Sequence, residues 1–493
     1  MANEPTEHAW QATKGHFEAW LAAHERELVD TACALVRTPS VGEPYDPASP
    51  HPFGEECARA ADASREVIEG LGLAWRNHDY YAVSARINEG APRTIAFYSH
   101  LDVVPPGDDW RITRPFEPLV RDGWIYGRGS ADNKGPATAV LFALRYLRES
   151  GVPLKSEVVD YLGFDEERGM QDVRNLVRMV PHPDVNLVAD CSFPVCVAEK
   201  GVLTGALSAR IDDPALVELS AGSADNAVAG SARAVLRGVE GSQVTNAPVG
   251  RADAPEEEGV SILAQPDGDA VLVARGRTAH AAFPAGSVNA VALAAKRLSG
   301  LDALRPATRA AFAFVARAFE PTDGSGLGVA CSDEATGPLT CVATRASLEG
   351  GVLNVSFDMR YPAAADPEAL SAAMDKAGAA EGFSLSRSAV KPAHAVNAES
   401  PLVKNLVSLV NDELGTSLEP YSMGGATHGR WIEGAVGFGP GRRDISLPSN
   451  ETGRGGAHQP DEGVPIARLL DAVRVYVRAV LFLDENPEAA CLA

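Results

Sequence analysis

Five residues, His100, Asp132, Glu167, Asp190 and His458, are of the side-chain types that hold zinc-like divalent cations: imidazole nitrogen and carboxylate oxygen. A catalytic cation must also keep one coordination position open for water, so a site of this make-up points to metal-assisted hydrolysis. Taken singly, a His or an Asp at any of these places would serve structure more often than chemistry. The local sequence around each of the five is what sets them apart.

That local sequence is a series of buried-strand patterns whose ends carry the chemistry. Residues 95–104, IAFYSHLDVV, form an apolar run interrupted only by Ser99, His100 and Asp102. VVDYLGFD, residues 158–165, runs into Glu166 and Glu167, and NLVAD, residues 186–190, ends in Asp190. Between the first two lies DNKGPATAVLFALRYLRESG, in which Pro136 suits a first helical turn and Val140, Leu141, Leu144 and Leu147 recur at helical spacing before Gly151. Strand, helix, strand, with polar groups collected at the carboxyl ends, predicts an open α/β sheet whose site lies outside those ends.

At 493 residues the chain is long enough for two or three domains. From about residue 200 alternating stretches such as LTGALSAR and VLVARG, a helical pattern in VNAVALAAKRLSGL and a strand candidate in LNVSFDMRYP read as a separate α+β domain. Its polar segment 241–259 reads as a loop. After about residue 396 the sheet-and-helix texture returns, with PLVKNLVSLVNDEL and VPIARLLDAVRVYVRAVLFL as helices. The expected organisation is therefore a domain of residues 1–200 and 396–493, interrupted by an inserted domain of residues 201–395.

Composition excludes several classes of function. With 44 basic against 66 acidic residues the net charge is −22, which repels nucleic acid and anionic membranes, so neither is an expected partner. No apolar run reaches the roughly 18 residues of a spanning helix. The first twenty residues hold early acids and no apolar h-region, which argues against a secretory signal and for a cytoplasmic protein. Seven dispersed cysteines, an odd number, make no disulfide framework. His24-Glu25 lacks the second His of a single-zinc protease helix, and no Gly-x-Ser-x-Gly elbow occurs.

Five motifs in order, SHLDVVPPGDDW, YGRGSADNKGP, FDEERG, ADCSFPVCVAEKG and GGAHQPDE, resemble the site motifs of the dinuclear aminopeptidase-like hydrolases, which include carboxypeptidase G, the aminoacylases and the PepV-type dipeptidases. VVPPGDDW, DNKGP, FPV followed by EKG, and a long inserted domain are most similar to the PepV-type branch. The resemblance implies an α/β fold, an open mixed sheet flanked by helices in a phosphorylase/hydrolase-like catalytic domain, with an inserted α+β lid domain. It implies two divalent metal ions, zinc or manganese. His100 and Asp190 would hold one, Glu167 and His458 the other, and Asp132 would bridge them; a cis peptide would follow Asp132. Glu166 would act as general base on the attacking water and then as acid to the leaving amine, and Asp102 would hold the far nitrogen of His100.

In the inserted domain GRTAHAAFPAGSVNA resembles the family's motif around a histidine that stabilises the oxyanion, here His280. Arg360 in FDMRYP matches a position that binds the substrate carboxylate, and Asn226 in SAGSADNAV matches a lid residue that helps bind substrate. MGGATHGR resembles a loop whose backbone at Gly424 and Gly425 approaches the substrate. Ala426 and His428 depart from the family pattern, and His428 is read as a specificity element or, more simply, as a tolerated surface variant. The resemblance thus implies a monomeric dipeptidase acting on short peptides with a free C-terminal carboxylate. An N-acyl amino-acid deacylase or a carboxypeptidase on the same scaffold is the alternative.

Overall fold

A computed structural model of the chain describes residues 4–237, 259–265, 269–442 and 454–492, with the side chains of 4–9, 11 and 12 left aside. The expected loop at 241–259 lies, up to residue 258, outside the described residues. The chain divides into two compact units. The first comprises Met1–Val197, Val396–Tyr421 and Thr427–Ala493; the second comprises Ala198–Ala395 and the short stretch Ser422–Ala426.

The first unit is built on a mixed sheet. Its order runs Ala74–His78, Ala82–Ile87, Ser156–Gly163, Arg93–His100, Val185–Val188, Ala435–Gly437 and then Cys196. The four strands from Ser156–Gly163 to Ala435–Gly437 are mutually parallel, whereas Ala82–Ile87 joins antiparallel. Parallel strands are covered on both faces, which explains why FYSH and VVDYLG read as near-continuous apolar runs: Ile95, Phe97, Val158, Val159 and Leu162 are fully buried. Burying one such side chain contributes roughly 1.5–3 kcal/mol, and Phe97 adds an edge-on contact with Tyr476, ring centroids 5.2 Å apart.

Helix Lys134–Glu149 forms where the apolar spacing predicts it, and Val140, Leu141, Leu144 and Leu147 all face the core. It stops at Ser150, whose N–H reaches Tyr146 O, before Gly151 turns with φ +69°. Helix Pro401–Leu414 is capped by the Ser400 hydroxyl, and the C-terminal helix spans Ile466–Glu485. No helix among the described residues is long and apolar enough to cross a membrane.

The second unit is an eight-stranded antiparallel sheet, in the order Gly259–Ala264, Ala270–Arg275, Ser231–Leu236, Leu216–Ala221, Thr340–Glu349, Val352–Tyr361, Gly201–Arg210 and Ser384–Lys391. Alternate residues of Gly201–Arg210 are buried, which is the period-two pattern read in LTGALSAR. Helices Ala290–Ser299, Pro306–Phe319 and Pro367–Ala379 contribute to the core, the first capped by Asn289 on Val291 N–H at 3.0 Å and the last by Asp366 on Glu368 N–H at 3.0 Å.

The strands around the site end two to four residues sooner than the sequence pattern suggests. Arg93–His100 stops at His100, Ser156–Gly163 before Phe164, and Val185–Val188 before Ala189. Side chains take over the ladder bonds there: Asp172 accepts the N–H groups of Phe164 and Asp165 at 2.9 and 3.0 Å. The chemistry-bearing residues therefore sit on short loops just past the strands.

Candidate metal centre and catalytic site

Register sets the first cluster. His100 lies opposite Gly163 in the parallel pair, and Leu101 N–H reaches Gly163 O at 2.9 Å, so the loop carrying Glu166 and Glu167 leaves the sheet beside His100. Ala189 N–H bonds Tyr98 O at 2.9 Å, which brings Asp190 to the same edge. A small sheet supplies the other two residues. Gly463–Pro465 pairs with Trp124–Tyr126, joining the GGAHQPDE and YGRGSADNKGP motifs and with them His458 and Asp132.

Two groups of potential ligands result, His100 with Asp132 and Asp190, and Asp132 with Glu167 and His458; within each, the ligand atoms lie within 4.8 Å of one another. His100 Nε2 stands 3.0 Å from Asp132 Oδ1 and 3.8 Å from Asp190 Oδ1. His458 Nε2 stands 3.1 Å from Asp132 Oδ2 and 2.9 Å from Glu167 Oε2. Asp132 thus offers one oxygen to each histidine. The peptide that follows it, Asp132–Asn133, is cis.

Electrostatics suit cations at this place. Burial, and then the Asp132 charge, pushes the Glu167 carboxyl up to about 7 and raises Asp190. Burial opposes ionisation of Asp132 as well, but hydrogen bonds from His100 and His458 hold it far below the usual carboxylate range. Bonds to Asp132 and Glu167 lift His458 to about 11. Carboxylates crowded this closely need positive charge between them, and Glu167 Oε1 is buried without a hydrogen-bond partner. The N and O donor set is one that divalent cations take, so the residues fit two divalent ions.

Glu166 is 8% exposed and its Oε1 has no partner. Burial, then the charge of Asp190, raises its carboxyl well above the ordinary range. On the far side of His100 the nearest acceptor of Nδ1 is the Asp102 backbone carbonyl at 3.0 Å, with the carboxylate at 3.4 Å. The Asp102 carboxylate instead accepts Glu167 N–H at 3.1 Å, so this residue steadies both the imidazole and the acidic loop.

The second unit holds its own cluster. His280 and Asn226 are exposed neighbours: Ala227 bridges His280, and Asn226 O accepts Ala281 N–H at 2.9 Å. Arg360 is buried, with Nε and Nη2 on the two oxygens of Asp358 at 2.7 and 2.8 Å and Nη1 on Gly424 O at 3.0 Å. The side edge of the guanidinium is therefore taken within the unit, and the end formed by Nη1 and Nη2 keeps donors for a further oxygen. Gly424 has no room for a side chain, since a Cβ there would lie 2.6 Å from that of Ala282. Gly425 is less crowded, its virtual Cβ 3.3 Å from the Met423 methyl.

Comparison with known proteins gives this geometry a family. The profile of peptidase family M20/M25/M40 matches residues 96–481. The chain belongs to that family. It is a metallopeptidase. This M20 chain is 28% identical over 475 residues to "Putative dipeptidase YtjP" of Bacillus subtilis (strain 168), covering 94% of this chain and 99% of that one. In fold it is similar to the M20 family metallo-carboxypeptidase Sso-CP2 of Sulfolobus solfataricus, with a TM-score of 0.56 and 16% identity over 93% of this chain and 99% of that one. Human carnosine dipeptidase 1 is similar to the same degree, with a TM-score of 0.56 and 14% identity over 95% and 98% of the two chains.

Three residues of this M20 peptidase that sequence reasoning did not single out hold the cluster together. Asn133 donates to Asp190 Oδ1 and Ala189 O, both at 2.9 Å, and accepts His100 N–H at 3.3 Å. Glu462, fully buried and paired with Arg128, accepts the N–H groups of Gly129, Ala131 and Asp132 at 2.9–3.1 Å. Both stand inside the quoted motifs. Asp172 stands outside them, and its signal was an acid five residues beyond Glu167 in a short helix.

Asp172 also corrects the surface reading of His428. His428 is 3% exposed, its Nε2 lies 3.0 Å from Asp172 Oδ2, and its ring is 6.3 Å from that of His100. Burial opposes its protonation, but the Asp172 charge and hydrogen bond raise its pKa. With Nε2 committed to Asp172, the side chain braces the acidic loop, and it is not a tolerated surface variant.

Proposed function

We propose that this M20 metallopeptidase is a dipeptidase that cleaves the peptide bond of short peptides with a free C-terminal carboxylate. The carrying observation is Asp132, whose two oxygens join the His100–Asp190 and Glu167–His458 groups, with the carboxyl of Glu166 beside them. The dipeptidase names of relatives that match along almost their full length point the same way. Two divalent cations, zinc or manganese, held by these five residues would supply Lewis-acid activation of the scissile carbonyl and of water.

The protein's own groups do the rest. Glu166, held at a raised pKa by burial, takes a proton from the attacking water and returns it to the leaving amine. His280 donates to the carbonyl oxygen as it gains charge. The free end of the Arg360 guanidinium binds the substrate carboxylate, while Asn226 and the backbone at Gly424 and Gly425 hold the peptide. The proposed enzyme is a monomer, as the resemblance of its long inserted domain to the PepV-type branch implies.

Glu166→Ala should keep its metal content and lose at least about 10²-fold in turnover, the usual contribution of a general base. Full activity in that variant sinks the assignment. A panel of dipeptides, tripeptides and N-acetyl amino acids, assayed with added zinc or manganese, tests the substrate class. Turnover of dipeptides first is expected, and preference for the acylated substrates makes the enzyme a deacylase.

A further inference from the structure

Two sulfurs come together in the first unit beside the metal-ligand loop, and the proposed reaction uses neither. Cys191 directly follows Asp190, and the chain turns back through residues 192–195 to Cys196. Strand Ala435–Gly437 runs between the two cysteines, with Gly437 paired to Val188 on one side and to Cys196 on the other. Because Gly437 has no side chain, both cysteines fold over it. A Cβ there would lie 2.4 Å from Cys191 Sγ, 3.1 Å from Cys191 Cβ and 2.8 Å from Cys196 Cβ. The two side chains therefore share the space of one methyl group, although no disulfide joins them. Cys191 is half-buried, whereas Cys196 is 4% exposed. Tyr421 holds the turn between them: its hydroxyl accepts Ser192 N–H at 2.7 Å and donates to Ser192 O at 3.1 Å.

A thiol in packed surroundings usually serves as a small apolar group. A partly exposed thiol with a second sulfur at hand is instead the arrangement of a redox-sensing cysteine and its resolving partner. Two β-carbons this near one point can reach the roughly 3.5–4.5 Å of a disulfide by a small local shift. We propose that Cys191 and Cys196 form a reversible disulfide on exposure to hydrogen peroxide, and that the bond displaces Asp190 and weakens metal binding at the His100–Asp190 group. The Cys191 sulfur attacks one peroxide oxygen, the O–O bond breaks, and Cys191 becomes a sulfenic acid as water leaves with the thiol proton. The Cys196 sulfur then attacks the sulfenic sulfur, the S–O bond breaks, and the hydroxyl leaves as a second water with the Cys196 proton. Two thiols are oxidised to one disulfide while peroxide is reduced to water, and a small dithiol reverses the bond. Closing it draws residue 191 across the Gly437 strand. Asp190, one peptide bond away, has its Oδ1 held by Asn133 Nδ2 at 2.9 Å and 3.8 Å from His100 Nε2, so the pull falls on a ligand. The metal loss rests on the proposed ligand set, whereas the disulfide does not.

Peptide mapping of the full-length, zinc-loaded protein before and after peroxide tests the bond, and zinc content after desalting tests its effect. The expected product is a cross-link between residues 191 and 196 that dithiothreitol reverses, with bound zinc falling from about two per chain to about one. Cys196→Ala should form no such cross-link and should keep its zinc through the same treatment. A Cys191 that stays reduced or goes on to sulfinic acid in the parent protein overturns the proposal. So does a cross-link that leaves zinc content unchanged, or zinc lost equally from Cys196→Ala. Zinc content and dipeptide turnover of the untreated protein report on the metal site and the proposed activity separately, so their failure is distinguished from a failure of the disulfide.

Discussion

Single residues in this protein carry charges in places where burial and partners decide their state. Asp160 is fully buried at the centre of the sheet, and burial pushes its carboxyl up to about 8 despite two contacts from the Ser99 hydroxyl at 3.1 and 3.3 Å. In the unfolded chain the same group ionises near pH 4. Between roughly pH 4 and 8 the native state therefore keeps a proton that the unfolded state has lost, and stability falls as pH rises. Asp160→Asn removes that linkage. The variant's Tm relative to the parent protein should rise steadily from pH 5 to pH 7.5, whatever constant offset the amide brings, and a difference independent of pH would show that Asp160 is not held protonated.

At the scale of elements, the loops past the strands are fixed by buried acids that replace ladder bonds. Asp172 is the clearest case, because one carboxylate receives Phe164 N–H, Asp165 N–H, Val173 N–H and His428 Nε2. Removing one member of such a buried pair leaves the other charged or polar group without its partner, at a cost of about 3–5 kcal/mol. Asp172→Ala should lower the stability measured by urea unfolding by about that amount, and an unchanged midpoint would mean that the loop is held by something else. The element boundaries carry the same lesson. Helix Pro401–Leu414 coincides with the sequence pattern because propensity, cap and apolar face agree. The strands beside the site stop short of their apolar runs because side chains such as Asp172 end the ladder there.

For the whole molecule, the proposed single-chain enzyme makes a simple prediction: light scattering should give a mass near 51.8 kDa. A mass near twice that value would mean that a second copy takes part. The two units differ in how legible they were. The alternating strands of the second unit showed their period, whereas the grouping of Ser422–Ala426 with that unit had no signal in composition. By itself the sequence showed the ligand-type residues, their order, and the type of the elements with a clear apolar period, such as helices Lys134–Glu149 and Pro401–Leu414, because ligand chemistry and apolar periodicity are local properties of the chain. Tertiary structure decided the rest. The division of Asp132 between two histidines, the occupation of one edge of Arg360 by Asp358, and the burial of His428 on a partner 256 positions away all depend on which chain segments are packed side by side, and no local pattern encodes that.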